Sequence, residues 1–216
     1  MRNEQTIRLA AVVLVLGITP GNAASDAVLH SVYAPEPPKI DGRIEAAEWA
    51  GADSLVITAR NSDLRCIVLI MNDKNNLYLA FSALDDKTNS RGSSAFDNVA
   101  AWFRGEVGYW LYGSGKLRTD AVDSRQQRTA PFQSFADGAV VGPPRAPHMA
   151  YELLVPLDEI GAEPGENIAV GLHYWDGYDR GPSYWWPAAV DLFALDSYGS
   201  LAIAAKAKQS VRPPHR

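Results

Sequence analysis

Short runs of β-branched and aromatic residues, separated by turn-forming residues, recur through most of this 216-residue chain. Runs of this kind predict β-strands. They lie at 55–58, 66–71, 77–83, 99–103, 109–112, 150–155, 168–175 and 201–203. Helical periodicity is confined to single turns at 44–49 and 157–160. The pattern therefore predicts an all-β fold, namely a single-domain antiparallel β-sandwich of the jelly-roll kind.

The first 23 residues have the order of a signal peptide. Arg2 and Arg8 come before an apolar run at 9–18, and the small residues Gly21 and Ala23 follow it. The run is about 10 residues long, half of the ~20 that a membrane-spanning helix needs. We therefore predict a signal peptide at 1–23, a sandwich domain at 24–205 and a loose basic tail at 206–216, in a protein exported to the periplasm or the medium.

Charge and cysteine content narrow the function classes. The chain has a formal charge of −5, and removal of 1–23 takes away two arginines and one glutamate, leaving −6. Nucleic acids and anionic membranes call for a basic surface, so neither is an expected partner. Cys66 is the only cysteine, which rules out an internal disulfide, and its apolar neighbours predict a buried side chain.

The strand predicted at 168–175 separates its side chains by parity, because alternate residues leave a sheet on opposite faces. One face takes the core residues Ile168, Val170, Leu172 and Tyr174. The other takes small residues at one end and His173 and Trp175 at the other. This second face is predicted either to pack beneath a loop or to meet a ligand.

Aromatic residues crowd the segment 173–187, which contains Trp175, Trp185 and Trp186. Flat rings beside planar donors and acceptors are typical of sugar sites. The same rings would equally serve to cap an open end of the sandwich. Carboxylate pairs occur, but no Ser/His/Asp order, Cys/His pair or zinc spacing accompanies them, so we expect a binding domain and not an enzyme.

Acidic residues cluster in one predicted loop region, at Asp85, Asp86 and Asp97. Calcium takes several oxygen ligands from carboxylates and backbone carbonyls, and acidic loops supply both. A structural calcium ion held by these three residues is one interpretation. Solvated turn residues are the other.

The segment 38–49, with Ile40-Asp41-Gly42 and Trp49, resembles the opening of family 9 carbohydrate-binding modules and their relatives. Further similar segments follow in the family's order at 76–86, 97–99, 151–157, 168–172 and 198–203. The resemblance implies a β-sandwich that binds a saccharide without catalysis. From the residues alone, Trp49 is expected to plug one end of the sandwich.

The family's sugar site has two tryptophans that clamp a sugar and polar side chains from neighbouring strands. By this resemblance, Arg118 matches the family's arginine, and Asp120 stands where an asparagine is usual. A further polar position falls on His173 or Trp175. The complete expected saccharide site is Arg118, Asp120, His173, Trp175, Trp185 and Trp186.

Two other functions remain open. The same superfamily includes haem-binding electron-transfer domains, for which Met71 and His173 are the candidate axial ligands. An accessory domain that binds another envelope protein is the third interpretation.

Two geometric expectations follow. The strands at 151–155 and 168–175 are predicted to be antiparallel neighbours, because only a short connection separates them. Arg118, Asp120, His173 and Trp175 are predicted to converge on one face, with Trp185 or Trp186 at its rim.

Overall fold

The computed structural model describes residues 28–58, 65–84, 86–87, 97–177, 184–188 and 190–206. The predicted signal peptide and Asp85 lie outside these residues, as does the tail beyond Lys206. Among the described residues, no helix has the length and apolar character needed to cross a bilayer.

Fourteen strands form two sheets that pack face to face. The strands are β1 Val28–His30, β2 Val32–Tyr33, β3 Asp53–Thr58, β4 Arg65–Asn72, β5 Asn76–Ala83, β6 Asn98–Phe103, β7 Val107–Tyr112, β8 Leu117–Asp123, β9 Arg128–Pro131, β10 Asp137–Val141, β11 Met149–Pro156, β12 Asn167–Trp175, β13 Tyr184–Trp186 and β14 Gly199–Ala202. Within the described ranges, helix is limited to a 3-10 turn at Leu195–Ser197. The predicted all-β sandwich is confirmed.

The larger sheet has eight strands in the order β1-β14-β12-β6-β7-β8-β9, with β13 also paired to β12. The smaller sheet has six strands in the order β10-β11-β5-β4-β2, with β3 also paired to β4. The pairs β1 with β14 and β2 with β4 are parallel, and every other described pair is antiparallel. We call the end where β12 finishes, at Trp175, the upper end, and the end where it begins, at Asn167, the lower end.

The N-terminal strand changes sheets at Ser31. Val28–His30 pairs with β14 in the larger sheet, and Val32–Tyr33 pairs with β4 in the smaller one. At the crossing, the Ser31 hydroxyl donates to Asn72 Oδ1 across 2.5 Å and accepts from the Ala204 N–H across 2.9 Å. These hydrogen bonds connect the first and last described segments at the lower end.

The core lies between the sheets, and the parity predicted for β12 is confirmed. Ile168, Val170, Leu172 and Tyr174 are all buried in the main core cluster. Cys66 is also buried there, as predicted, and burial raises the pKa of its thiol above the usual range.

The predicted adjacency of β11 and β12 is wrong, because the two strands belong to different sheets. β11 pairs with β5 and β10, whereas β12 pairs with β6, β13 and β14. The connection between them crosses the lower end of the sandwich, and its residues Leu157 and Ile160 are buried in the core. A connection that must cover the core in this way joins one sheet to the other instead of closing a hairpin.

Trp49 has a structural role, but its place differs from the predicted one. It is buried with Met71, Tyr78 and Ala80 on the outer face of the smaller sheet, and does not close an end of the sandwich. The N-terminal segment around it covers that face.

Candidate functional site

One row of paired residues crosses five strands of the larger sheet. Trp185, His173, Ala100, Trp110 and Arg118 are successive partners on β13, β12, β6, β7 and β8. Residues paired in this way point to the same side of a sheet. They point away from the core, so this row lies on the outer face of the larger sheet, which we call the aromatic face.

His173 lies at the centre of this face and is only 1% exposed. Its ring stacks on Trp185 with centroids 4.2 Å apart, and its edges meet Trp110 at 5.7 Å and Trp175 at 6.3 Å. Burial lowers the pKa of His173 to about 3, so the ring is neutral at ordinary pH. Neither ring nitrogen has a hydrogen-bond partner among the described residues.

A third nitrogen without a partner lies on the same face. Trp102 is fully buried, and its indole Nε1 has no hydrogen-bond partner within the described part of the chain. The ring packs edge-on against Trp110 at 5.5 Å and lies beneath Tyr198. Gly108 makes room for it, since a Cβ at that position would lie 2.3 Å from the Trp102 ring. Buried polar atoms are usually paired, so the aromatic face holds unused hydrogen-bonding capacity.

Arg118 and Asp120 leave β8 on this face and bind each other. Arg118 Nε donates to Asp120 Oδ1 across 3.0 Å. Asp120 is 2% exposed, whereas the Arg118 side chain is 46% exposed. The hydrogen bond to Asp120 is the main cause that raises the pKa of the guanidinium. The pair fixes the stem of Arg118 while its outer nitrogens reach solvent.

Trp175 ends β12 at the upper edge of the face and is 39% exposed. Its partners across the sheet are Asn98 on β6 and then Tyr112 on β7. The structure thus places Arg118, Asp120, His173 and Trp175 on one face, with Trp185 beside them. Asp120 and His173 are buried, so Trp175 and Arg118 are the members that a ligand reaches directly.

Trp186 does not join the aromatic face. It pairs with the core residue Leu172, packs against the main core, and lies over Gly199. Trp185 and Trp186 are consecutive in one strand, so only one of them faces outward. Of the two tryptophans, the structure therefore places only Trp185 beside His173.

Three buried carboxylates meet at the upper end of the sandwich. One ligand oxygen from each of Asp86, Asp97 and Asp176 lies within 4.8 Å of the other two. Tyr174 donates its hydroxyl to Asp86 across 2.8 Å, and the Gly177 N–H donates to Asp97 across 2.9 Å. Of the predicted calcium ligands, Asp86 and Asp97 come together, Asp85 lies outside the described residues, and Asp176 takes the third position.

The Tyr151 hydroxyl lies beside these carboxylates. It is fully buried and has no hydrogen-bond partner among the residues that the structure describes. Burial is the main cause that raises its pKa, and the charges of Asp97, Asp86 and Asp176 add to the effect. Three carboxylates therefore come together at one buried position with a phenol under their electrostatic influence, and hard cations such as Ca²⁺ prefer oxygen ligands.

Met71 and His173 cannot be the axial ligands of one haem. Met71 packs with Trp49 on the outer face of the smaller sheet, and His173 lies on the outer face of the larger sheet. The two sheets of a sandwich are roughly 10 Å apart, and both side chains point away from the space between them. The structure therefore contradicts this ligand pair.

Comparison with solved structures identifies the architecture. A family 9 carbohydrate-binding module from Caldicellulosiruptor kristjanssonii in complex with cellotriose matches with a TM-score of 0.63. The match covers 88% of this chain and 100% of that chain at 14% identity. The same kind of module in complex with glucose matches with a TM-score of 0.64 at 14% identity, covering 87% of this chain and 100% of that one.

This chain has the fold of a family 9 carbohydrate-binding module. No protein-family model matches its sequence, and no curated protein does so either. The likeness to the family 9 modules therefore shows the architecture, while the functional argument depends on the chain's own residues.

The site predicted from the sequence did not include Trp102, Trp110 or Asp176. Parity would have found the two tryptophans, because Val99, Ala101 and Phe103 form the core side of β6 and leave Trp102 on the other side. Trp110 likewise alternates with the core residues Tyr109 and Leu111. Asp176 carried no such signal, since its two partners come from other parts of the chain.

Proposed function

We propose that this chain is a non-catalytic carbohydrate-binding module that takes a saccharide on the aromatic face. The observation that carries the proposal is the convergence of the half-exposed Trp175 with Arg118, Asp120 and His173 on one side of one sheet. An indole stacks on the apolar face of a sugar ring, and a guanidinium binds its hydroxyls. The complexes of the similar modules with cellotriose and glucose add support.

The unpartnered nitrogens of His173 and Trp102 support the same face. A buried donor or acceptor without a partner costs roughly 1–3 kcal/mol, so a polar ligand or water that reaches these atoms gains that much. Trp185 lies over His173, and only three residue pairs join its strand to β12. Displacement of this short strand would open the buried nitrogens to a hydroxyl group.

Titration of the exported chain with glucose, cellobiose and cellotriose, followed by calorimetry and tryptophan fluorescence, tests the proposal. Trp175→Ala is expected to cost on the order of 1–3 kcal/mol of affinity, as for the burial of a large side chain. Phe135→Ala is the matched control, because Phe135 is 84% exposed and lies at the opposite end of the sandwich. Equal saccharide binding by folded Trp175→Ala and by the parent chain would remove the aromatic face as the site.

We also propose that Asp86, Asp97 and Asp176 hold a divalent cation, with Ca²⁺ the best fit to their oxygen donors. The Tyr151 hydroxyl supports this proposal, because it is buried beside the carboxylates without a hydrogen-bond partner in the described ranges. The cation would have a structural role, since it would join β12, the start of β6 and the end of the β5 segment.

We propose in addition that the protein is exported, by cleavage before Ala24. The support is the order of charged, apolar and small residues in 1–23. Sequencing the N-terminus of the protein recovered from the periplasm or medium tests it. An intact Met1 in a membrane fraction would contradict it.

A further inference from the structure

Three exposed cations lie at the upper end of the sandwich among the described residues, although the chain as a whole is acidic. Lys116, Arg118 and Arg145 are exposed at the upper end. The described carboxylates nearest to them, including Asp97, Asp120 and Asp176, are buried. The chain's formal charge is −5. The three cations are therefore a local feature of the surface that the described residues form at this end.

The exposed carboxylates of the described residues lie mostly elsewhere. Glu106, Asp158, Glu163 and Glu166 are exposed at the lower end of the sandwich. Asp191 and Asp196 are exposed beside Val190 and Leu192, which pack against the aromatic face. Near the upper end, where Gly42 packs against Val140 and Val141, Asp41 is also exposed. The exposed Arg43 next to it offsets its charge.

A continuous row of paired residues leads from Trp175 to Lys116. Trp175, Asn98, Tyr112 and Lys116 lie on β12, β6, β7 and the turn after β7 in successive pairing. Three strand spacings of ~4.8 Å give a span of about 14 Å, which is wider than a single sugar ring. A ligand stacked on Trp175 that extends along the sheet would therefore pass Arg118 and Lys116.

The path leads into a cleft. A space of about 200 Å³ lies between the turn Gly113–Gly115 and the segment 140–145, which ends in Arg145. The turn follows directly on Tyr112, so the cleft continues the path from Trp175. Arg118 is paired with Asp120, whereas Lys116 and Arg145 have no ion-pair partner among the described residues.

We propose that the saccharide taken by this face is an anionic linear polysaccharide, whose charged groups are bound by Lys116, Arg118 and Arg145. The inference rests on the proposed saccharide site at Trp175. Sugar carboxylates and sulfate esters share the chemistry that these side chains recognise. A neutral chain would stack on Trp175 but would leave the two outer cations unused.

Calorimetry of the exported chain with three probes of equal length tests the proposal. The probes are an oligouronate, a sulfated oligosaccharide and a neutral cello-oligosaccharide. We expect the better anionic probe to bind about three- to ten-fold more tightly than the neutral one, with a difference that shrinks as salt is added. The carboxylate and sulfate probes distinguish the two sources of negative charge.

The double variant Lys116→Gln, Arg145→Gln keeps Arg118 and is expected to lose most of the preference for the anionic probe. The control is Arg125→Gln, Arg128→Gln, which removes two exposed cations at the lower end and should keep the preference. Equal affinity of the parent chain for all three probes would overturn this proposal and leave the saccharide site standing. A preference of undiminished size in the Lys116/Arg145 variant would also overturn it. Failure of every probe to bind would overturn both.

Discussion

The indole nitrogen of Trp49 donates to Glu152 Oε1 across 3.0 Å, although 103 residues separate the two in the chain. The other carboxylate oxygen accepts from the backbone N–H groups of Asp41 and Gly42, at 2.9 and 2.7 Å. Glu152 is fully buried on the outer face of the smaller sheet. One carboxylate thus binds the Asp-Gly turn and the tryptophan of the N-terminal segment to β11.

Glu152→Ala is expected to loosen the N-terminal segment and lower the free energy of unfolding. The change leaves buried donors without an acceptor, at roughly 1–3 kcal/mol for each. Trp49→Phe removes the indole donor and part of a buried ring but leaves both backbone N–H groups with their acceptor, so it should cost less. Urea unfolding of both variants measures the difference. A smaller loss in Glu152→Ala than in Trp49→Phe would contradict the central place of this carboxylate.

The burial of Glu152 also predicts a dependence of stability on pH. Burial raises its pKa, and the three hydrogen bonds offset only part of that shift. Between the ordinary glutamate pKa of ~4.3 and the raised value, the folded state keeps a proton that the unfolded state has lost. Stability from this group therefore falls as pH rises through that window. Relative to Glu152→Gln, the parent chain should lose unfolding free energy there, and a constant difference would count against the raised pKa.

The burial of His173 predicts the opposite dependence of stability on pH. Burial lowers its pKa to about 3. Below the ordinary histidine pKa, the unfolded state therefore binds a proton that the folded state does not bind. Stability from this group is complete above pH ~6.5 and falls as pH drops towards 3, by up to ~1.4 kcal/mol per pH unit. His173→Phe keeps a ring against Trp185 and should remove this slope. Parallel pH profiles of the two proteins would disprove the assignment.

Calcium is expected to raise the melting temperature, because the cation binds a site that only the folded chain assembles. At a free concentration one hundred times the dissociation constant, the gain is about 2.7 kcal/mol. Terbium luminescence excited through tyrosine reports occupancy directly, since Tyr151 and Tyr174 adjoin the carboxylates. Asp176→Asn should abolish both effects, and the exposed Asp196→Asn should abolish neither. Identical melting in calcium and in chelator would refute the cation site.

Most of the long strands could be predicted from the sequence, because their alternation records which side faces the core. β8 and β10 were not predicted, since neither has a run of buried apolar residues. The short strands β1, β2, β9 and β13 have too few residues to show an alternation. The sheet to which a strand belongs is not encoded in the same way. β11 and β12 both bury one side against the same core, so their patterns do not reveal that they lie on opposite sides of it.

The candidate site could be predicted where two residues share a strand. Arg118 and Asp120 lie on the same side of their strand, as do His173 and Trp175 on theirs. The pairing through Ala100 and Trp110 brings the two pairs to the same face. Parity also separates Trp185 from Trp186, a distinction that the crowding of aromatic residues had concealed. The triad of Asp86, Asp97 and Asp176 depends on tertiary packing, which no local pattern specifies.

The change of sheet at Ser31 bears on how the module can be attached to something else. Val28 pairs with Ser200 and so lies at the level of Ala169, six residues or about 20 Å along β12 from Trp175, and Lys206 follows the crossing at the lower end. A tether, a fused partner or a solid support joined at either end of the described chain therefore holds the module by its base. The aromatic face and its cations then point outward. Two copies joined through these ends would expose both aromatic faces at once.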